Sequence, residues 1–295
     1  MKNSLKFWSA AAALLSIAIT GSANAGTVDV FGFGGVNDLS AFDDMEGTAG
    51  SADVTVTAGG QLSVLDVSTT DAPEAYVNFG NVTNGLRLEF NFEFNNDLLT
   101  IGGSDPEVLI RLGNDGVQTD SNADTGFQLN LRHETDAPTP NQIRAADGTR
   151  STNGNGNGPA GGTGLGSATG FTAVADGQAI NVVALINNDS IDQTFTELGG
   201  GTVAAGTSIL FIDGVLIGNY DLVTSATSGF DPALGLGAFG LNSSGSSDSG
   251  ANVLFNSIKI GLNADNGLTA VVPEPSSAVV LLGAMGFAGM LRRRR

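Results

Sequence analysis

Glu89, Asn91 and Glu93 alternate with Leu88, Phe90, Phe92 and Phe94, a spacing that places the three polar side chains on one face of a strand. Two carboxylates on one strand face could act as nucleophile and acid in glycoside hydrolysis. The wetted face of any amphipathic strand also carries polar residues at this spacing, so no catalytic residue is assigned. A second candidate is Asp120-x-Asn122-x-Asp124, with Asp115 and Gly126 nearby. Oxygen ligands at alternate loop positions suit Ca²⁺, which takes about six to eight oxygens. Gly126 falls one place late for an EF-hand, and Leu131 stands where that loop needs a bidentate Glu. The segment therefore reads as an irregular calcium loop or as a solvated Asp/Asn turn. His133 is the only histidine, so neither a multi-histidine metal centre nor a two-histidine proton relay can form. No G-x-S-x-G elbow accompanies it, and a strand-end surface position is expected.

The elements that must position these residues are strands. Leu86 to Phe94 has the clearest period of two, and similar runs occur at Leu62 to Val67, Ala75 to Phe79, Val108 to Leu112, Phe127 to His133, Ile180 to Ile186 and Val253 to Ile260. Between Ile209 and Ile217, Asp213-Gly214 separates two apolar runs. It is a hairpin signal, because a type I′ turn needs positive φ at both central positions. No long 3.6-residue period interrupts the middle of the chain. The expected architecture is an all-β sandwich forming one domain over residues 26–261, followed by a linker at 262–271. Residues 146–170, rich in Asn and Gly, and the Ser/Gly stretch Asn242 to Gly250 read as loops. The first lacks a Gly-Lys-Ser/Thr ending and is no phosphate-binding loop.

Cysteine is absent, so stability must come from burial. The chain has 12 basic and 30 acidic residues. Setting aside Lys2, Lys6, the four terminal arginines and Glu274 leaves six basic and 29 acidic residues between 26 and 272, a formal charge of −23. Such a surface argues against nucleic acid, whose phosphates need Lys and Arg. The single tryptophan, Trp8, lies near the N-terminus, and the remainder has only Tyr76 and Tyr220, so few flat polar-edged rings are available to stack on sugars. Glycan recognition, were it present, would depend on hydrogen bonds or bridging cations.

Both ends carry processing signals. Lys2 and Lys6 precede an apolar run from Ala10 to Ile19, and Ala23-Asn24-Ala25 supplies the small residues that signal peptidase reads, making residues 1–25 a signal peptide. At the other end, Val272-Pro273-Glu274-Pro275-Ser276 leads into an apolar run ending at Leu291, then Arg292, Arg293, Arg294 and Arg295. A helix from Ser277 to Leu291 spans about 22 Å, short of the ~30 Å hydrocarbon core. The terminal arginines stop transfer and stay cytoplasmic, leaving the large domain on the far side.

The order Pro-Glu-Pro, short apolar helix, arginine cluster over residues 272–295 resembles the PEP-CTERM protein-sorting signal. The resemblance implies a single C-terminal transmembrane helix inserted transiently in the inner membrane of a Gram-negative bacterium. It also implies recognition of Pro273, Glu274 and Pro275 by an exosortase, with delivery to the cell surface or an exopolysaccharide-rich matrix. Phe42-Asp43-Asp44-Met45-Glu46, the Ile209 to Tyr220 hairpin and the closing strand Asn252 to Ile260 resemble the concanavalin A-like, LamG-type jelly-roll superfamily. In those relatives an acidic residue often stands at the position of Asn256. The two resemblances together imply an exported surface or matrix protein that associates with polysaccharide without catalysis; the alternative is a glycoside hydrolase on a jelly roll. Calcium is the one cofactor the residues suggest.

Overall fold

A computed structural model describes residues 26–262, apart from residues 33–36, 48, 50–51, 69–70, 84, 96–106, 116–124, 133–140, 146–174, 196–197, 199–200, 223–229 and 244–250. The strands run in order β1 (Gly26–Phe31), β2 (Asp44–Glu46), β3 (Ala52–Val56), β4 (Leu62–Asp66), β5 (Glu74–Val82), β6 (Gly85–Phe94), β7 (Glu107–Gly113) and β8 (Thr125–Arg132). They continue with β9 (Gln142–Ala145), β10 (Ile180–Asn187), β11 (Gln193–Thr194), β12 (Thr202–Val203), β13 (Thr207–Ile212), β14 (Val215–Asp221), β15 (Leu236–Ser243) and β16 (Ala251–Leu262). The expected all-β jelly-roll sandwich is what they form. The larger sheet has the order β14-β13-β10-β6-β16-β4-β3, with β1 also on β16, and the smaller has the order β2-β5-β15-β7-β8-β9.

Every strand read from the sequence is present, within a few residues at each end. On β6, Leu86, Leu88, Phe90, Phe92 and Phe94 are all buried and point into the core shared with the smaller sheet's Val108, Ile110, Leu112, Leu129, Phe239 and Leu241. Phe92 meets Phe94 edge-on at 5.3 Å and Phe255 of β16 at 6.2 Å between ring centroids. Each such ring contributes about 1.5–3 kcal/mol by burial. Asp213 and Gly214 have φ of 49° and 76°, the paired positive values of the anticipated type I′ turn.

One reading needs correction. Asn242 and Ser243 belong to β15 rather than to a linker, and β15 is an interior strand of the smaller sheet, paired with both β5 and β7. Its glycines conceal it. A Cβ on Gly237 would lie 2.6 Å from both Asn81 Oδ1 and Asp115 Cβ, so close approach, not flexibility, selects glycine there. The end of β16 at Leu262 is one residue past the expected domain boundary.

Candidate functional site

The outward face of the larger sheet brings the predicted trio together with residues that sequence spacing did not connect. Glu93 Oε1 accepts a hydrogen bond from Gln61 Nε2 at 2.7 Å, and the same nitrogen reaches Asn256 Oδ1 at 3.0 Å. Asn256 Nδ2 then donates to Asn91 Oδ1 at 2.7 Å. A chain of planar polar groups thus crosses from the β3–β4 turn over β16 to β6. Glu89 forms an ion pair with Arg87 on its own strand, while Lys259 of β16 and Val183 of β10 lie opposite Glu89 in register.

Local backbone devices place the two amides that join the trio. Gln61 ends a tight turn closed by Gly60 N–H to Thr57 O at 2.9 Å and Thr57 N–H to Gln61 O at 2.8 Å. Asn256 sits where the register of β16 against β6 shifts between Phe255 and Ser257. On either side of this bulge, β16 exchanges one neighbour, β4, for another, β1. A bulge re-aims a side chain, and this one brings Asn256 into hydrogen-bond reach of β6. Gly32 follows β1 with φ of 74°, and a Cβ there would lie 2.2 Å from Asn256 O, so only glycine lets the chain pass.

Toward β13 and β14 that face turns apolar. Asn187, fully buried, donates from Nδ2 to Ile191 O and Val203 O, both at 2.9 Å, and pins the β11–β12 ribbon onto β10 and β13. Beneath it Leu185, Phe195, Val203 and Ile209 form a small second core, with Val183 and Phe211 half-buried at its rim. Leu216, opposite Phe211 in register, is 55% exposed, and Val215 beside it 48%. One row across the sheet therefore runs Leu216, Phe211, Val183, Glu89, Lys259, from apolar to charged.

The smaller sheet's outward face carries a second network, which the sequence reading missed. Arg111 Nε donates to Gln128 Oε1 at 3.1 Å, Gln128 Nε2 to Asn130 Oδ1 at 2.7 Å, and Asn130 Nδ2 to Glu107 Oε2 at 2.7 Å. Arg132 Nη1 stands 3.8 Å from Glu107 Oε1. These groups point away from the shared core, yet Gln128 and Asn130 are only 1% exposed and Arg111 2%. Buried polar groups call for partners, and here Arg111, Gln128, Asn130 and Glu107 bond to one another across β7 and β8. The signal available in the sequence was the alternation Gln128-x-Asn130-x-Arg132.

A buried carboxylate also ties the two sheets together. Asp66 of β4 accepts hydrogen bonds from the Ser243 hydroxyl of β15 and, at 3.1 Å, from Ser68 N–H. Burial pushes its pKa above the ordinary 3.8, with the Ser243 and Ser68 hydrogen bonds opposing and nearby Asp71 adding to the rise.

Asp120, Asn122, Asp124 and His133 lie outside the described residues, as do Ala23, Ala25, Pro273, Glu274, Pro275 and Arg292 to Arg295. Among the described residues no group of three His, Asp or Glu side chains could hold a metal ion, and no helix is long and apolar enough to cross a membrane.

Comparisons with known proteins bear on the C-terminus. Residues 271–295 match the family model for the PEP-CTERM protein-sorting motif. The chain therefore carries a PEP-CTERM sorting signal, which marks it for export and membrane-anchored sorting. A comparison with curated proteins finds no match. Among solved structures, the carbohydrate recognition domain of Emp47p aligns with a TM-score of 0.47 at 10% identity, covering 82% of this chain and 100% of that one. The alginate lyase Aly36B aligns with a TM-score of 0.44 at 11% identity over 70% of this chain and 82% of that chain. A sialidase aligns with a TM-score of 0.43 at 11% identity, and there the match covers 72% of this chain but only 16% of the sialidase. None of the three carries weight on ligand or activity.

Proposed function

We propose that this chain is a non-enzymatic cell-surface or matrix protein that associates with extracellular polysaccharide. In this reading residues 26–261 form the glycan-associating domain, signal peptidase releases residues 1–25, and an exosortase acts at Pro273-Glu274-Pro275. The sorting motif at residues 271–295 is the observation that carries the reading, because it commits the domain to export and sorting. The partly open polar face of the larger sheet supports it: amides and carboxylates supply donors and acceptors in fixed positions, as hydroxyl-rich ligands require.

The two carboxylates of that face have different partners, Arg87 at Glu89 and Gln61 at Glu93, which supports the binding reading over the hydrolase one. A glycan array run beside a reducing-sugar assay on the producing cell's own polysaccharide tests the reading. Binding without release is expected; sugar release would replace it with the hydrolase alternative. Mass spectrometry of the exported protein tests processing, and an intact C-terminus ending in Arg295 would overturn that part.

A further inference from the structure

Resting on that reading, we infer that the outward face of the larger sheet takes an uncharged glycan and excludes uronic-acid or otherwise anionic polysaccharide. The inference comes from how the face distributes charge and apolar surface. Recognition of a sugar carboxylate calls for an arginine fork or lysine placed for it. On this face Arg87 is held by Glu89, and Lys259 lies opposite that same carboxylate, with Asp29 opposite Lys259 on its other side. Glu93 and, at the tip of the β13–β14 turn, Asp213 add two further negative groups. Four carboxylates thus surround two cations, in a domain whose formal charge between residues 26 and 272 is −23. An anionic polymer approaching here meets repulsion over a Debye length of about 8 Å at physiological salt, with no local cation surplus to offset it.

The other basic side chains described are placed elsewhere: Arg111 and Arg132 belong to the smaller sheet, bound to Gln128 and set beside Glu107. An uncharged sugar needs something different, a partly apolar wall for its C–H face and fixed acceptors and donors for its hydroxyls. The row Phe211, Val183, Glu89 supplies both within two strand spacings, about 10 Å. Asn181 and Asn91, opposite one another in register on β10 and β6, add amides one step along. Phe211 is half-buried against the small second core, so its ring is held by packing before any ligand arrives.

Isothermal titration of the full chain in mild detergent tests this, using neutral hexasaccharides of glucose, mannose and galactose beside hexasaccharides of alginate and polygalacturonate, each with Ca²⁺ and with chelator. The expected result is binding of at least one neutral hexasaccharide in both conditions, weakened fivefold or more by Asn91→Ala and by Phe211→Ala. Asp44→Asn on the smaller sheet should leave it unchanged, and thermal melts of each variant confirm folding. If Phe211→Ala fails to fold, Asn91→Ala and Glu89→Gln carry the test. Binding of an anionic hexasaccharide alone, with or without Ca²⁺, overturns the inference and leaves the glycan reading intact. Neutral binding unaffected by Asn91→Ala overturns the location. No binding of any hexasaccharide overturns the inference and the proposed function together.

Discussion

The outward faces of the two sheets use the same chemical vocabulary under opposite conditions. On the larger sheet, Glu93, Gln61, Asn256 and Asn91 form a hydrogen-bonded chain that solvent reaches. On the smaller, Glu107, Asn130, Gln128 and Arg111 form one that is nearly sealed. A bond in the open chain exchanges with water at little net gain, whereas a group orphaned in the sealed chain keeps its full desolvation penalty. The difference divides them: the sealed network holds β7 to β8, and the open one lies on the face proposed to meet a ligand.

Four substitutions sharpen or break this contrast. Asn130→Ala removes the link between Gln128 and the Glu107 carboxylate in a site without solvent. Its expected cost is about 2–3 kcal/mol by urea denaturation, and a loss below half a kcal/mol would mean that the face is not sealed. Gly214→Ala, at φ of 76° in the turn bounding the open face, should cost about 1 kcal/mol. Asp66→Asn tests the tie between the sheets through pH. Because the folded-state pKa of Asp66 is raised, its contribution is fully present below the ordinary 3.8 and is lost as pH rises through the raised value. Wild type should therefore lose stability relative to Asp66→Asn over that interval, and parallel pH–stability curves would remove Asp66 from the account. Glu93→Gln on the open face should change stability by no more than about 0.5 kcal/mol, and a larger loss would make that chain structural after all.

The legible parts were those in which a local pattern is sufficient. On β6 the alternation of Phe and Leu with Arg, Glu and Asn reports the strand and its two faces, because one face must be buried. Asp213-Gly214 reports its turn through backbone sterics alone. β15 was hidden because its interior position depends on glycines chosen by neighbours such as Asn81 of β5 and Asp115 in the turn after β7, which lie far away in sequence. Gln61 could not be read as a site residue, since it reaches Glu93 from a turn, and Asn256, marked in the sequence only as the place where relatives carry an acidic residue, reaches Asn91 through a bulge far along the chain.

By itself, the amino-acid order determined the export and sorting signals, the acidic surface, the absence of disulfides and the two-faced strands, since each follows from composition or from contacts within a few residues. Tertiary structure decided which polar rows became a sealed network and which remained open, where the β11–β12 ribbon covers the larger sheet, and which amides join Glu93 and Asn91. Burial and cross-strand register depend on residues distant in sequence. Alternation can therefore announce a polar face without revealing whether water will reach it.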